Sequence, residues 1–356
     1  MKKSCMILFL TFISNIFFAQ ANEYEKRILE LKKENEKLKH RIDILEKKTD
    51  DVYLKLQLGD KIFFDKLILT GPPKWKVKNP TEQGANNPVK FWSYIFFKKD
   101  IDINKRYPLI IFVHGGVHGN FSSYYFHILK ELLYQGYIVA APEYRGSTGY
   151  GEEFYKSIDY GGREIEDAVE TAKYMIENYS FVDEDRIGII GWSHGGLIAL
   201  MASFNYPDLF KCCFAGVPVS DLIARMGYRG DSYERYFDAE YHIGKTAEED
   251  IEEYKRRSPV YNVEKAKIPI LIHTNTNDED VNYIEVYHLI NALKAANKKF
   301  EYQVYENYPG GHAFDRIDIK KAKEIRTNIY KFLSKYLKPE KVLDNVKKIN
   351  EEIYYK

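Results

Sequence analysis

The chain has 356 residues, a formal net charge of +1 and 45% hydrophobic residues, which fits a globular fold of about one or two domains. Balanced charge removes the electrostatic case for a nucleic-acid partner, and 3 cysteines are too few for a disulfide framework. No glycine-rich phosphate loop or metal-ligand cluster stands in the sequence, and His114, His118, His127 and His242 are scattered enough to read as structural.

Residues 1–21 read as an export signal. Lys2 and Lys3 supply the basic start, Met6 to Phe18 an apolar run, and Ala19-Gln20-Ala21 a small-residue cleavage site. The run falls short of the roughly 20 residues that span a bilayer. The expectation is an exported protein, periplasmic or extracellular; left uncleaved, the same segment would serve as an anchor. Cys5 lacks the lipobox-like setting of a lipoprotein.

Residues 22–50 read as a coiled-coil-like helix. Ile28, Leu31, Leu38, Ile42 and Leu45 fall on heptad a and d positions, Tyr24 on an earlier d, and Asn35 on the remaining a. Glu34 with Lys39 and Arg41 with Glu46 place opposite charges on g and e, while Arg27 with Lys32 does not. The segment fits a homodimer equally with a solvated spacer helix. Beyond it, Val52 to Leu56 and Lys61 to Phe64 read as strands, Gly71-Pro72-Pro73 and Asn79 to Pro88 as loops, and Lys90 to Phe97 as an antiparallel strand.

From there strands and helices alternate. Strands are expected at 107–113, 137–142, 186–190, 212–219, 269–274 and 300–306, with helices near 122–134, 163–177, after Gly196, and at 283–296 and 318–337. That alternation predicts a mostly parallel, doubly wound α/β sheet with helices on both faces. Cys212 and Cys213 lie in the fourth of these strands and read as small buried apolar residues. Residues 221–256 break the alternation and read as a short cap, from which Tyr228, Arg229, Tyr233, Arg235 and Tyr236 could reach a substrate. Residues 339–356 read as a charged amphipathic helix.

The chemistry centres on Gly191-Trp192-Ser193-His194-Gly195-Gly196, set between a strand and a helix. That context makes a G-x-S-x-G turn a nucleophile elbow with Ser193 at its apex and the His194 backbone N–H free to stabilise an oxyanion. A serine hydroxyl needs a base. His312 sits on a glycine loop after the last strand, and Asp278, Glu279 and Asp280 follow the strand before it. Ser193, an acid and His312 thus stand in the chain order of a hydrolase triad, with Asp278 the first choice, Asp280 the rival and Glu279 weaker. His114-Gly115-Gly116 after strand 107–113 offers a second oxyanion donor, the Gly115 or Gly116 N–H. The side chains of His114 and His194 are given no chemical role.

Residues from about Val89 to Leu337 resemble the catalytic domain of the prolyl oligopeptidase family, nearest its acylaminoacyl-peptidase and dipeptidyl-peptidase branches. The resemblance is carried by Pro142-Glu143-Tyr144-Arg145-Gly146-Ser147-Thr148-Gly149-Tyr150-Gly151, with glutamate where the family has asparagine. Gly161-Gly162-Arg163-Glu164-Ile165-Glu166-Asp167, Arg257-Ser258-Pro259, Asp278-Glu279-Asp280-Val281 and Gly311-His312 carry it further. The D-x-x-V register favours Asp278 over Asp280. The resemblance implies an α/β-hydrolase fold over residues 51–338, a serine peptidase acting on short peptides through an acyl-enzyme, and no cofactor. Family members usually carry a β-propeller; the 40 residues from Asp51 to Lys90 are too few for one, since a single blade takes roughly 40–45. The expectation is therefore a free-standing catalytic domain. A carboxylesterase acting on acyl esters is the rival reading, and an idle hydrolase fold used as a binding module the third.

Overall fold

A computed structural model describes the backbone of residues 2–354 apart from Lys78 and Gly230, and side chains from Asn22 onward apart from those two and residues 231, 232, 234 and 235. The first element is one helix, α1 (Lys2–Leu58). It is longer than the sequence suggests: Val52 to Leu56, expected as a strand, continues the helix. The reason is a second apolar spacing, in which Leu54 and Leu58, four residues apart, are buried against the body of the protein. The side chains of the expected export segment, residues 1–21, lie outside the described ones. Among the described residues no helix is long and apolar enough to cross a membrane.

Eight strands form one sheet: β1 (Ile62–Pro73), β2 (Pro88–Lys98), β3 (Tyr107–Val113), β4 (Ile138–Glu143), β5 (Val182–Trp192), β6 (Cys212–Gly216), β7 (Ile270–Asn275) and β8 (Phe300–Tyr305). Their spatial order is β1-β2-β4-β3-β5-β6-β7-β8. β1 and β2 are antiparallel to their neighbours and the rest run parallel, as the alternation predicts. Gly71-Pro72-Pro73, expected as a loop, ends β1 instead; a proline is tolerated there because β1 is an edge strand.

Both faces of the sheet are covered, so β3 is a continuous apolar run whose residues alternate between two cores. Leu109, Ile111 and Val113 join the core under α4 (Glu164–Asn178), α5 (His194–Asn205) and α9 (Tyr283–Ala295). Ile110 and Phe112 join the core under α2 (Phe126–Gln135) and α10 (Lys320–Leu337). A four-residue helix, α3 (Glu152–Tyr155), precedes α4. The expected cap is helical: α6 (Leu222–Arg229), α7 (Asp231–Asp238) and α8 (Ile251–Arg257). Cys212 and Cys213 are buried free thiols. The tail departs from the single amphipathic helix expected. Pro339 follows the end of α10, among the tail's described residues only α11 (Val346–Ile349) and a π turn form, and Leu343, Ile349 and Ile353 are buried in the second core.

The C-terminal half of α1 is clamped to this body by charge. Lys47, almost fully buried, donates to Phe121 O at 2.8 Å and to Asp51 at 2.6 Å. Asp51 also accepts from Lys66 and from Tyr94 OH, and Asp50 from Ser123 N. Lys47 stands 4.0 Å from Glu143, the residue that departs from the family's asparagine. Gly149, at φ +90°, has the shape this approach needs, since a Cβ there would run into Lys47.

Candidate active site

The Ser193 elbow is built by exclusion of side chains. Ser193 adopts φ 58° and ψ −124°, a strained region for a residue with a Cβ. A Cβ on Gly191 would strike Gly195 O, one on Gly195 would strike Val113 O, and one on Gly196 would lie 2.9 Å from Pro218 Cβ. The Ser193 backbone is pinned as well: its N–H donates to Gly216 O at 3.0 Å and its carbonyl accepts from Gly196, Leu197 and Val219.

Ser193, Asp278 and His312 follow the C-terminal ends of β5, β7 and β8, where open α/β sheets place ligands. The structure brings Asp278 and His312 together: His312 Nδ1 lies 2.8 and 2.9 Å from the two Asp278 oxygens. Asp278 is held from behind, its Oδ1 accepting from Asp280 N and Val281 N at 2.8 Å each. The D-x-x-V spacing is this turn. Asn275 ties the two loops, donating to Tyr308 O and Gly311 O and accepting from Tyr308 N.

The rival acids have other partners. Asp280 lies on the far side of the ring, 3.7 Å from His312 Nε2, and pairs with Arg229 and, at 3.5 Å, with Arg225. Glu279 accepts from the His312 backbone N–H at 3.0 Å. Among the described residues no hydrogen bond joins Ser193 Oγ to the ring, so serine and base are brought to the same rim without being paired. Such contacts often tighten only when substrate is bound.

The two glycine donors differ. Gly115 N–H is occupied by Tyr125 OH at 3.2 Å. The N–H groups of Gly116 and His194 have no acceptor among the described residues. Gly115 abuts the elbow, where its Cβ would sit 3.0 Å from Trp192 O. The His114 ring is buried against Ser147 Oγ at 3.0 Å and that of His194 beside Glu164 at 3.4 Å, so neither faces the rim. Sequence reading missed Tyr125, hidden in an expected helix start, and Arg316, which donates to His312 O. Their only signal is closeness in sequence to His114-Gly115-Gly116 and to His312. From the cap, Arg225 and Arg229 reach Asp280 and Tyr228 reaches Glu285, while the Arg235 side chain lies outside the described residues.

Burial shapes the protonation of the surroundings. Desolvation lowers His114, His194 and His273 to about 3. It also lowers His118 and His242, whose Nε2 atoms meet at 3.2 Å. Glu143 and Glu164 are raised by burial, each to about 8. The rings have depressed values, so their contribution is present above about 6.5 and lost as pH falls toward their folded values. The carboxyls have raised values, so their contribution is lost as pH rises through 8 and regained on acidification. Between pH 6.5 and 4.5 six rings, with His127 lowered by burial as well, oppose four carboxyls, with Glu166 and Glu285 raised by burial as well, each by at most about 1.4 kcal/mol per pH unit. The urea midpoint is therefore expected to fall on acidification over that range; a midpoint that holds or rises would contradict the burial of these rings.

Three comparisons with known proteins bear on this arrangement. A family model described as "Prolyl oligopeptidase family" matches residues 123–340. Human dipeptidyl peptidase 8 is 30% identical over 227 residues, 60% of this chain and 24% of that protein. The acylamino-acid-releasing enzyme of Arabidopsis thaliana is 28% identical over 240 residues, 66% of this chain and 31% of that protein. The chain thus spans about a quarter to a third of the length of these curated relatives. The solved acylaminoacyl peptidase of Pyrococcus horikoshii superposes with a TM-score of 0.63 at 20% identity, covering 83% of this chain and 45% of that one. The Porphyromonas gingivalis dipeptidyl peptidase 4 structure gives 0.60 at 24%, covering 78% and 36%. At these identities the superpositions speak for the fold.

Proposed function

Because the chain belongs to the prolyl oligopeptidase family, we propose that it is a serine peptidase that cleaves short peptides through an acyl-enzyme. The observation that carries the reading is the Asp278–His312 pair at 2.8 Å on the rim that holds the strained Ser193 elbow. In this reading Ser193 Oγ attacks the scissile carbonyl carbon and its proton passes to His312 Nε2. The tetrahedral oxyanion is received by the N–H groups of Gly116 and His194. His312 then hands the proton to the leaving amine, which departs as the C–N bond breaks and leaves the acyl group on Ser193. Water attacks the acyl-enzyme by the same proton path in reverse. Asp278 holds Nδ1–H, so Nε2 is the nitrogen left to work.

Export belongs to the same proposal and rests on Lys2, Lys3, the apolar run from Met6 to Phe18 and Ala19-Gln20-Ala21. Cleavage there would leave Asn22 as the first residue of α1. The domain division proposed is residues 1–21, 22–50, 51–338 with the cap at 221–256, and 339–356.

The test is labelling by an active-site-directed phosphonate together with turnover of aminoacyl and dipeptidyl p-nitroanilides and of p-nitrophenyl esters. Labelling and amide turnover, both lost in Ser193→Ala, are the expected result. Serine-dependent ester cleavage without amide turnover would move the protein to the esterase reading. Labelling unchanged in the variant would sink the assignment of Ser193.

A further inference from the structure

The helix α1 carries two apolar faces, and the body of the protein uses one. Lys47, Leu54 and Leu58 are buried against the hydrolase, with Asp43, Ile44, Asp50 and Asp51 half-buried beside them. On the heptad register these are the b, c and f positions. The a and d positions face away from the body. Ile28, Leu31, Leu38, Ile42 and Leu45 are 47–63% exposed, and the seam runs past its expected end to Val52 at 60% and Leu56 at 74%. Tyr24, at 69%, opens it.

We propose that this seam pairs with the same seam of a second copy of the chain, in parallel and in register, as a two-stranded coiled coil. The proposal goes beyond the peptidase reading and does not depend on it. From Tyr24 to Leu56 the stripe covers about 50 Å of helix at 1.5 Å per residue, more than the three to four heptads that mark a coiled coil. A 3.5-residue repeat calls for a helix of matching repeat, and a second copy supplies one. Orientation follows from Asn35, which is exposed at an a position. In a parallel pair it meets its own copy and the two amides bond to each other. In an antiparallel pair it would face Leu38 where Ile28 is matched to Leu45, or Leu45 where Tyr24 is matched to Leu56, and in either alignment it loses its partner. Charge agrees at two of three g–e contacts: Glu34 meets Lys39 and Arg41 meets Glu46 across the parallel pair, while Arg27 meets Lys32. Because the hydrolase docks on the opposite face of α1, neither body obstructs the seam.

The test is sedimentation of the full chain with three variants. The wild type is expected at twice the monomer mass. Leu38→Glu with Leu45→Glu changes side chains already exposed in the single chain, and is expected to halve the mass while leaving the urea midpoint of the hydrolase unchanged. With Cys5→Ser as background, Leu31→Cys is expected to cross-link to itself on oxidation, since a d position faces its own copy within disulfide reach. A monomeric wild type, a mass unmoved by the double glutamate change, or Leu31→Cys that cross-links to Ile42→Cys rather than to itself would each overturn the proposal.

Discussion

Asp278→Asn is expected to lower kcat on an aminoacyl p-nitroanilide by about 10⁴-fold, while Asp280→Asn changes it by less than about tenfold. The two residues are separated by a single position and both stand beside the His312 ring, so the contrast tests geometry and not composition. An asparagine at 278 keeps an oxygen for the backbone N–H groups of Asp280 and Val281, which preserves the turn. Its amide nitrogen would then take the place of Oδ2, 2.8 Å from Nδ1. Two donors cannot share that contact, so the ring gives up either its position or its tautomer. Asp280 is 41% exposed on its side chain and already paired with Arg229, so its loss leaves Nε2 free. The measurement is kcat with the thermal midpoint monitored alongside; a larger loss in Asp280→Asn would transfer the role to that residue.

The largest expected loss of stability comes from Asp167→Ala, about 3–5 kcal/mol by urea denaturation. Arg145 and Asp167 are both fully buried. Arg145 Nε and Nη2 donate to the two Asp167 oxygens at 2.8 and 2.7 Å, and the Arg145 backbone N–H adds a third bond at 2.9 Å. The same guanidinium donates to Pro72 O and Pro73 O, fastening the end of β1. Removing the carboxylate strands a buried cation; replacing both residues by leucine removes the charge altogether and is expected to recover part of the loss. No recovery in the double variant would mean that the edge-strand contacts, and not the ion pair, hold this corner.

This pair also shows what the sequence disclosed and what it withheld. Arg145 and Asp167 belong to two short patterns that the sequence presents 22 residues apart, and each looks like a motif until the fold shows them to be one contact. The parallel sheet was legible because β3 to β7 carry short apolar runs, and β8 an alternating one, among helical stretches. The elbow was legible because its glycines are dictated by backbone collisions that no other residue avoids. Asp278 could be preferred to Asp280 because Asp278-Glu279-Asp280-Val281 resembles the family's D-x-x-V. The extent of α1 could not, because Val52 to Leu56 alternates as a strand would, and only the burial of Leu54 and Leu58 decides for a helix. The tail misled for a related reason: its charges suggested a solvated helix, whereas its few apolar residues are spaced to fill a core. Tyr125 and Arg316 were out of reach because their parts near the site depend on how loops distant in sequence converge.

The charged clamp on α1 has a consequence for the order in which the chain assembles. Lys47, Asp50 and Asp51 precede the groups they bind: Lys66 follows Asp51 by 15 residues, Tyr94, Phe121 and Ser123 come 43 to 74 residues later, and Glu143 later still. On a growing chain this stretch of helix emerges before any of them. Its fastening waits for those residues. Contacts absent from the folding transition state slow unfolding more than they hasten folding, and Lys47→Ala is expected to raise the unfolding rate with the refolding rate little changed.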